Sequence, residues 1–425
     1  MSGRDCDIAI VGGGLAGGLI ALALARSRND RAVRLLEAGP SLGGNHRWSW
    51  FESDLSPAGG ELMQAFTQTR WDMGYDVRFP GFARALSTPY RSLASADFAS
   101  NLERLLPPGT IGIGAPAQDL AADAVTLATG ERIAARAVVD CRGFEASGDL
   151  SGGWQVFMGR RLRTQSPHGV SRPVIMDAMV EQLDGYRFVY VLPLAEDELF
   201  VEDTYYQDTP TLDQSALSAR LDQYCAANGW SGAVVGEETG VLPVVTGGDF
   251  TAFRDAHRIE GVAVAGARGG FAHPLTSYTL PFAVETALAI ATDADLPGPQ
   301  LAAMLEARAR QHWDETRFYR RLGAMLFGAA EPEDRWRVFA RFYRLPEPLI
   351  ERFYAGRSTL ADRARILCGR PPVPIGRALR AILSHRGRGT MRSMVKGYAS
   401  QAERRQRVPL HQPAAGPPPR FGEDL

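Results

Sequence analysis

Two adjacent carboxylates lie in the segment FVEDTYY (residues 200–206), whose other members are mainly the aromatic and β-branched residues typical of a strand. Acidic side chains are usually left in water unless they are paired or used in chemistry. A strand end that emerges at the surface would explain Glu202 and Asp203, and these seven residues alone favour that explanation. If the strand is buried, its alternation sends the two acids to opposite faces of the sheet, so only one of them can enter a given cavity.

A glycine pattern near the N-terminus has the spacing of a phosphate-binding loop. Gly12, Gly14 and Gly17 form GxGxxG between the apolar run IAIV and a run rich in alanine and leucine. In such a loop the first glycine permits a tight turn, the second a close approach to pyrophosphate and the third helix–strand packing. Glu37 follows the run VRLL, twenty residues after Gly17, where an acid is expected to contact a ribose 2′-hydroxyl. The pattern predicts a dinucleotide site.

The same N-terminal region resembles a membrane span in length. Residues 8–25 are all apolar or glycine, which is close to the length that crosses a bilayer. The glycine cluster within them favours a strand, a turn and a buried helix instead. No basic segment precedes the run, so the sequence does not predict a signal peptide.

Composition restricts the remaining classes of function. The 425 residues have room for two or three domains, and a net charge of −1 gives no reason to expect a nucleic-acid partner. The four cysteines are far apart and the histidines show no ligand spacing, which predicts reduced cytosolic thiols and no metal site.

Two later segments complete the nucleotide-binding pattern. Residues 134–144 (AARAVVDCRGF) and 261–291 each predict a strand that runs into a glycine turn, and the second continues into an apolar helix. A nucleotide domain that is interrupted by an insertion and completed late in the chain resembles FAD-dependent oxidoreductases of the glutathione reductase and p-hydroxybenzoate hydroxylase type. The late loop contains Gly266, Arg268 and Gly269, without the acid that those enzymes usually place there. Arg268 could bind pyrophosphate or be an ordinary surface arginine.

The inserted part predicts an antiparallel sheet. In GYRFVYVLPL (185–194), Tyr186, Phe188 and Tyr190 share one face, and the polar AEDE links this strand to FVEDTYY as a hairpin. From about Leu301 the pattern is helical, and Trp336 to Tyr343 places aromatic residues at helical spacing. These aromatics are expected in a packed core, with a membrane-surface helix as the alternative.

The C-terminal segment is basic. Residues 386–407 contain seven basic residues against Glu403, and a proline-rich end follows. It is either a solvated, partly disordered tail or a contact with anionic lipid.

Six segments together resemble the bacterial lycopene β-cyclases of carotenoid synthesis: DIAIVGGGLAGGLIALAL, GGNHRWSW, VIMDAMVEQLDGYRFVYVLPL, FVEDTYY, HPLTSYTLP and LCGRPPVP. The resemblance extends from Asp7 to about Pro374. Arg47 and Trp50 depart from it, because threonine and phenylalanine are expected at these two positions.

This resemblance implies an acid-catalysed isomerisation of lycopene ends to β-ionone rings, with reduced FAD in a non-redox role and NAD(P)H as its reductant. It assigns the essential acid to Glu202, with Asp203 as partner or support. An acid in apolar surroundings stays protonated at higher pH than a free one, as a proton donor requires. A monooxygenase or reductase acting on a polyene or isoprenoid is one alternative on the same fold, and a non-catalytic flavoprotein that carries a carotenoid or lipid is another. The residues expected to contact substrate or stabilise a cation are His46, Trp48, Tyr186, Phe188, Tyr190, His273 and Tyr278.

The predicted fold is α/β, with a Rossmann-like FAD-binding domain, an inserted antiparallel substrate domain and a C-terminal helical region. The expected boundaries are 1–80, 105–150 and 255–295 for the FAD domain, 81–104 and 151–254 for the substrate domain, 296–385 for the helical region, and 386–425 for a flexible tail. The expected partners are lycopene and related polyenes, the membrane surface and other carotenoid-pathway enzymes. A cytoplasmic protein bound peripherally to the inner membrane is expected.

Overall fold

The computed structural model describes residues 4–183, 185–369, 373 and 375–383. In chain order its strands are β1 (Cys6–Val11), β2 (Val33–Leu36), β3 (Arg47–Phe51), β4 (Thr69–Trp71), β5 (Tyr75–Phe79), β6 (Phe82–Leu86), β7 (Tyr90–Ala94), β8 (Ile111–Gly112), β9 (Ala117–Ala121), β10 (Ala124–Leu127), β11 (Arg132–Asp140), β12 (Leu150–Thr164), β13 (Val174–Asp177), β14 (Tyr186–Ala195), β15 (Glu198–Gln207), β16 (Gly232–Gly248) and β17 (Ala263–Val264).

The α-helices, again in chain order, are α1 (Leu15–Ser27), α2 (Pro57–Met63), α3 (Ser95–Leu105), α4 (Gln214–Ala227), α5 (Phe250–His257), α6 (Leu280–Thr292), α7 (Gly298–Glu315), α8 (Arg317–Ala329), α9 (Trp336–Phe342), α10 (Glu347–Tyr354), α11 (Leu360–Leu367) and α12 (Ile375–Leu383). None of the helices in the described part of the chain combines the length and the apolar composition needed to cross a bilayer. The basic tail lies outside the described residues.

The first sheet carries the predicted nucleotide-binding motif. Its strands run in the order β8-β2-β1-β11-β10-β9, with β17 beside β11. The pairs from β8 to β11 and the pair of β11 with β17 are parallel, whereas β10 pairs antiparallel with β11 and β9. The strand β1 is nearly continuous in apolar residues because parallel strands are covered on both faces. Helices α1 and α6 pack together on this sheet. The α/β class and the Rossmann-like layout predicted from the sequence are confirmed.

The second sheet carries FVEDTYY. Its order is β16-β12-β15-β14-β13-β5-β6, and β14 and β15 form the predicted hairpin. One face packs on the C-terminal helices, where side chains from the sheet and from α8 to α10 form a common core. All of its pairs are antiparallel except β13 with β5, which is parallel. Side-chain alternation gives each strand one face toward that core.

Contacts cross the predicted domain boundaries at two places, and the boundaries themselves stay a prediction. Strand β5 pairs with β6 in the second sheet, so this sheet begins before the predicted boundary at residue 81. Helix α3, almost wholly within the predicted substrate segment 81–104, packs on the first sheet's helix α1, because Phe98 and Leu102 lie against Gly18. The cause is contact between segments far apart in sequence, which local patterning does not report.

Candidate active site

Glu202 and Asp203 leave opposite faces of strand β15. On the neighbouring strand, Tyr190 lies opposite Glu202 and Val189 lies opposite Asp203. The Glu202 face also carries Phe188 and Tyr206, which belong to the core beneath the C-terminal helices. The Asp203 face carries Val189, Val201 and Tyr205, which pack beside α4. The two acids therefore act in different environments.

Asp203 is the anchor of a buried polar network. It is fully buried and accepts hydrogen bonds from Arg187 Nε at 2.8 Å and from the Tyr205 hydroxyl at 2.8 Å. Arg220 in turn donates to the Tyr205 hydroxyl at 2.8 Å. Burial raises the pKa of Asp203, and the hydrogen bond and charge of Arg187 oppose that rise. These contacts give Asp203 a structural role on the face away from Glu202.

Glu202 lies in an apolar and aromatic environment. Its carboxyl accepts a hydrogen bond from the Thr204 hydroxyl at 2.7 Å. Although part of the side chain remains accessible, protein atoms surround the carboxyl. This burial raises its pKa to about 8, and the charge of Glu238 adds to the rise. At neutral pH the Glu202 carboxyl is therefore mostly protonated and able to donate a proton.

A second carboxyl, which the sequence analysis missed, faces Glu202 across one strand. Gly159 of β12 lies opposite Glu202 on one side and opposite Glu238 of β16 on the other. Both glutamates therefore project from the same face of the sheet. The segment GEETGV shows the same signal as FVEDTYY, since two adjacent acids lie in a strand and only one of them can face the core.

A mainly apolar cavity of about 440 Å³ lies between the second sheet and the C-terminal helices. Tyr190, Tyr206 and Tyr278 line it, together with Phe339, Phe342 and Tyr354 from the helices. Tyr190 links this cavity to Glu202, because it lies directly opposite the acid in the sheet. The cavity has the character expected of a site for a hydrocarbon ligand.

The predicted aromatic residues fall into two groups around this cavity. Tyr190 and Tyr278 line it, and the Tyr278 hydroxyl lies 3.3 Å from that of Tyr90. Tyr186 and Phe188 are fully buried behind the lining, where Tyr186 stacks on Phe339 with 4.3 Å between ring centroids. This second group supports the wall without forming its surface.

Trp48 and His46 do not join the aromatic residues around Glu202. The Trp48 ring packs edge-on against Phe98 of the first domain, at 5.2 Å between centroids, and His46 is exposed beside Trp48. The alternation of β3 instead places Arg47 on the side of Glu202 and Glu238, 5.5 Å from the Phe200 ring. The face of β3 that contributes to the site is therefore the one opposite Trp48.

His273 fixes a loop rather than facing a cation. Its Nδ1 accepts hydrogen bonds from the backbone amides of Leu275 and Thr276, so its Nε2 is left to donate to the Phe353 carbonyl at 3.2 Å. Burial lowers the pKa of His273 to about 3, so the ring is neutral. The loop that it closes delivers Tyr278 to the cavity.

The glycine loop of the first domain has the shape expected of a phosphate cradle. Gly12 adopts a φ of +103°, and a Cβ there would lie 2.7 Å from the Cys141 carbonyl oxygen. A Cβ at Gly17 would lie 2.0 Å from the Gly12 carbonyl oxygen, whereas one at Gly14 would meet no atom within 4 Å. No side chain caps the start of α1 at Gly14. The residues present therefore fit a pyrophosphate at Gly14.

The other predicted cofactor residues lie around the same loop. The Glu37 carboxylate accepts hydrogen bonds from the amides of Gly13 and Gly39, each at 2.7 Å. Gly266 approaches the start of α1, because a Cβ on it would lie 2.9 Å from that of Ala16. Contacts of Glu37, Gly266 and Gly269 with a bound cofactor remain predictions.

Arg268 is not an ordinary surface arginine. Its side chain is only 13% exposed, and its Nη2 donates to Glu145 at 3.2 Å. Its Nε lies 3.9 Å from Asp140, which is also paired with Arg142. Contact of Arg268 with pyrophosphate remains a prediction.

We expect Asp203→Asn to destabilise the fold by about 3 kcal/mol, because Arg187 would keep a buried charge without its partner. Arg187 is only 8% exposed at its side chain. Thermal and urea denaturation measure this loss. The rate per folded molecule should stay close to that of the wild type, since Asp203 faces away from the cavity. An unchanged denaturation midpoint would show that the pair contributes little.

Comparison with known proteins finds relatives by sequence and, separately, by fold. The family described as lycopene cyclase protein matches residues 7–380. A lycopene beta-cyclase of Pseudescherichia vulneris is 44% identical over 89% of this chain and 97% of the relative. A lycopene beta-cyclase of Paracoccus sp. is 42% identical over 88% of this chain and 97% of the relative.

Solved structures share the fold at low sequence identity. A tryptophan halogenase described as from Streptomycin violaceusniger superposes with a TM-score of 0.54 at 14% identity, over 94% of this chain and 96% of that one. A geranylgeranyl bacteriochlorophyll reductase-like protein of Thermoplasma acidophilum superposes with a TM-score of 0.53 at 12% identity, over 93% of this chain and 98% of that one. The match to the family over nearly the whole chain, together with relatives above 40% identity, shows that this chain belongs to the lycopene cyclase family.

Proposed function

We propose that the protein is a lycopene β-cyclase, which converts the acyclic ends of lycopene to β-ionone rings and forms γ-carotene and then β-carotene. The observation that carries this proposal is a glutamic acid held protonated near neutral pH beside an aromatic, apolar cavity. The reaction is an isomerisation, so no electrons are transferred overall. Two curated relatives above 40% identity bear the same name.

In this reaction Glu202 donates a proton to C2 of the terminal C1–C2 double bond, which leaves a cation at C1. The C5–C6 double bond attacks C1 and closes the ring. Loss of a proton from C6 then gives the β-ionone double bond. The Thr204 hydroxyl orients the Glu202 carboxyl through its 2.7 Å hydrogen bond.

The aromatic wall suits a cationic intermediate because it offers no strong nucleophile. The faces of Tyr190 and Tyr278 attract a cation by about 1–2 kcal/mol each in a desolvated site. Burial raises the pKa of both phenols well above the ordinary value, so the rings stay neutral and do not trap the cation.

We infer that FAD is the cofactor and that NAD(P)H reduces it. Gly12, Gly14 and Gly17 with Glu37 would hold its adenosine diphosphate half, as the open Cβ position at Gly14 allows. When bound and reduced, FAD supplies negative charge that stabilises the cation without redox turnover. Arg268 and the loop at Gly266 would lie on its pyrophosphate side.

The test is expression in a lycopene-accumulating bacterium, followed by chromatography of the pigments. Conversion of lycopene to γ- and β-carotene is expected. The purified protein should also cyclise lycopene anaerobically with chemically reduced FAD and without stoichiometric NAD(P)H. A stoichiometric requirement for NAD(P)H would favour a monooxygenase or reductase, and unaltered lycopene in cells with folded, flavin-bound protein would exclude the cyclase.

A membrane-facing cavity mouth would give access to such an apolar substrate. The aromatic residues of α9 and α10 pack against the core or line the cavity. Leu367 both lines the cavity and is 53% exposed, and Leu360 on the same helix α11 is 81% exposed. We infer that α11 contacts the membrane surface, with Arg365 near the lipid phosphates.

We expect the protein to float with anionic liposomes at low salt. The double variant Leu360→Glu/Leu367→Glu should reduce the bound fraction at least about tenfold, because burial of one leucine contributes about 1.5 kcal/mol or more. Met179→Glu is the control, because Met179 is 61% exposed but is not among the residues that line the cavity. Equal flotation of the leucine variant and the control would exclude α11 as the contact.

A further inference from the structure

The strand between the two glutamates has a glycine at the position that both of them flank. Gly159 lies opposite both Glu202 and Glu238, so a side chain at this position would stand between the two carboxyls. A Cβ on Gly159 would lie 2.4 Å from Cζ of Phe200 and 3.2 Å from Cγ of Glu238. The Phe200 ring and the Glu238 side chain therefore occupy the space that the glycine leaves open.

Arg47 provides a positive charge on the Glu238 side of this group. It enters from β3 of the small third sheet, over the Phe200 ring, and its Nη1 donates to the Ser92 hydroxyl at 3.2 Å. Burial raises the pKa of Glu238 to about 7, and the charge and backbone amide of Arg47 oppose this rise. Arg47 therefore favours the ionised form of Glu238.

The remaining groups near the two acids carry little free charge. Tyr90 on β7 and Tyr190 on β14 face Glu202, and burial keeps both phenols neutral because it raises their pKa. Asp203 acts on Glu202 from its own strand but is paired with Arg187. Around Arg47 the charged groups are Glu238, Asp97, Arg161 and Glu198, of which the last two are paired with each other.

We propose that Glu238, with Arg47, is a positioning pair that carries the negative charge of the site and leaves the transferable proton on Glu202. Two carboxyls that share a buried site cannot both ionise easily, and the one beside a cation ionises first. Glu202 would then keep its proton because the Glu238 carboxylate repels a second negative charge. Arg47 thus decides which glutamate is the donor.

The proposal rests on the proposed function and predicts a change in pH profile. In the wild type, cyclisation should fall as pH rises through about 8, where Glu202 loses its proton. Glu238→Gln removes the retaining charge, so this fall should move about one pH unit lower, the scale of shift that a nearby like charge produces. At pH 6 the variant should match the wild type, because Glu238 of the wild type is then mostly protonated and, like the glutamine, carries no charge.

Arg47→Thr should also move the fall in cyclisation rate to lower pH. Without Arg47, Glu238 would stay neutral over the pH range in which its negative charge is needed. In the Glu238→Gln background, Arg47→Thr should cause no further shift. Glu237→Gln is the matched control, since Glu237 faces the opposite side of β16 and pairs with Arg160 at 2.8 Å.

Infrared titration of the protonated carboxyl band, assigned by its loss in Glu202→Gln, measures the same shift without turnover. The band should disappear about one pH unit lower in Glu238→Gln than in the wild type. An unchanged titration of the band would overturn the proposal, as would a loss of activity in Glu238→Gln that is equal at pH 6 and pH 8. A wild-type protein that never cyclises lycopene would instead overturn the proposed function, and the band titration would still decide the role of Glu238.

Discussion

Glu202→Gln is expected to lower cyclisation at least about a thousandfold while FAD binding stays normal. Glutamine keeps the size and hydrogen-bonding capacity of the side chain but has no transferable proton, and general acid catalysis contributes about 10²–10⁴-fold. An alkene has no lone pair to accept a proton from water, so water cannot replace the missing acid. The expected loss of rate therefore lies toward the upper end of that range. The rate is measured by chromatography of the carotenoids, and FAD content by absorbance.

Glu202→Asp tests the placement of the same acid. The change shortens the side chain by about 1.5 Å and moves the proton away from C2, and misplacement on this scale can cost roughly a hundredfold. The hydrogen bond from Thr204 would be weakened as well. Some residual activity is therefore expected in Glu202→Asp and none above background in Glu202→Gln.

Asp203→Asn is the neighbouring control for this prediction. It alters a fully buried acid on the opposite face, so it should lower stability but not the rate per folded molecule. An inactive Asp203→Asn with an active Glu202→Gln would identify Asp203 as the donor. Wild-type rates in both variants would assign the proton to another group, the reduced flavin above all.

Local features of the site could be predicted because they depend on neighbouring residues. The two-residue period of a strand separates Glu202 from Asp203, and the polar AEDE link predicts the hairpin that places Tyr190 opposite Glu202. The glycine spacing likewise predicts the turn before α1. In each case one short segment determines the geometry.

Features that depend on contacts between distant segments could not be predicted in this way. The pairing of Glu238 with Gly159 depends on the register of β12 and β16, which are joined through a hairpin and a helix between them. The orientation of β3 is a similar case, because Arg47 lies on the side of Glu202 and Glu238, whereas Trp48 packs on Phe98. Alternation restricts such a strand to two orientations, and only packing against the other domain selects one.

His273 shows a third kind of limit. The motif HPLTSYTLP marks an important loop, but residue type alone does not separate a histidine that faces a ligand from one that holds the loop. Both ring nitrogens are engaged by backbone groups, and Ser277 adopts a φ of +59° in the same loop. The loop is strained locally and held by these bonds, which only the folded chain reveals.

Gly14→Val is expected to yield a folded protein that binds FAD at least about a hundredfold more weakly. Gly14 has an extended backbone, with φ −71° and ψ −170°, and a Cβ there meets no atom within 4 Å. Valine therefore costs the empty fold little, but its side chain fills the space where a pyrophosphate must approach the start of α1. Flavin fluorescence titration measures the affinity, and circular dichroism and thermal denaturation measure the fold.

The other glycines of the loop separate a binding defect from a folding defect. At Gly12 and Gly17 a Cβ would lie 2.7 Å and 2.0 Å from backbone carbonyl oxygens, so Gly12→Val and Gly17→Val should fail to fold. Gly60→Val is the matched control, because Gly60 of α2 also has an open Cβ position and lies outside the loop. The melting temperature of Gly14→Val should be compared with that of the wild-type protein stripped of flavin, since bound FAD stabilises the folded state by mass action. Folded Gly14→Val that binds FAD with wild-type affinity would show that this loop does not hold the dinucleotide.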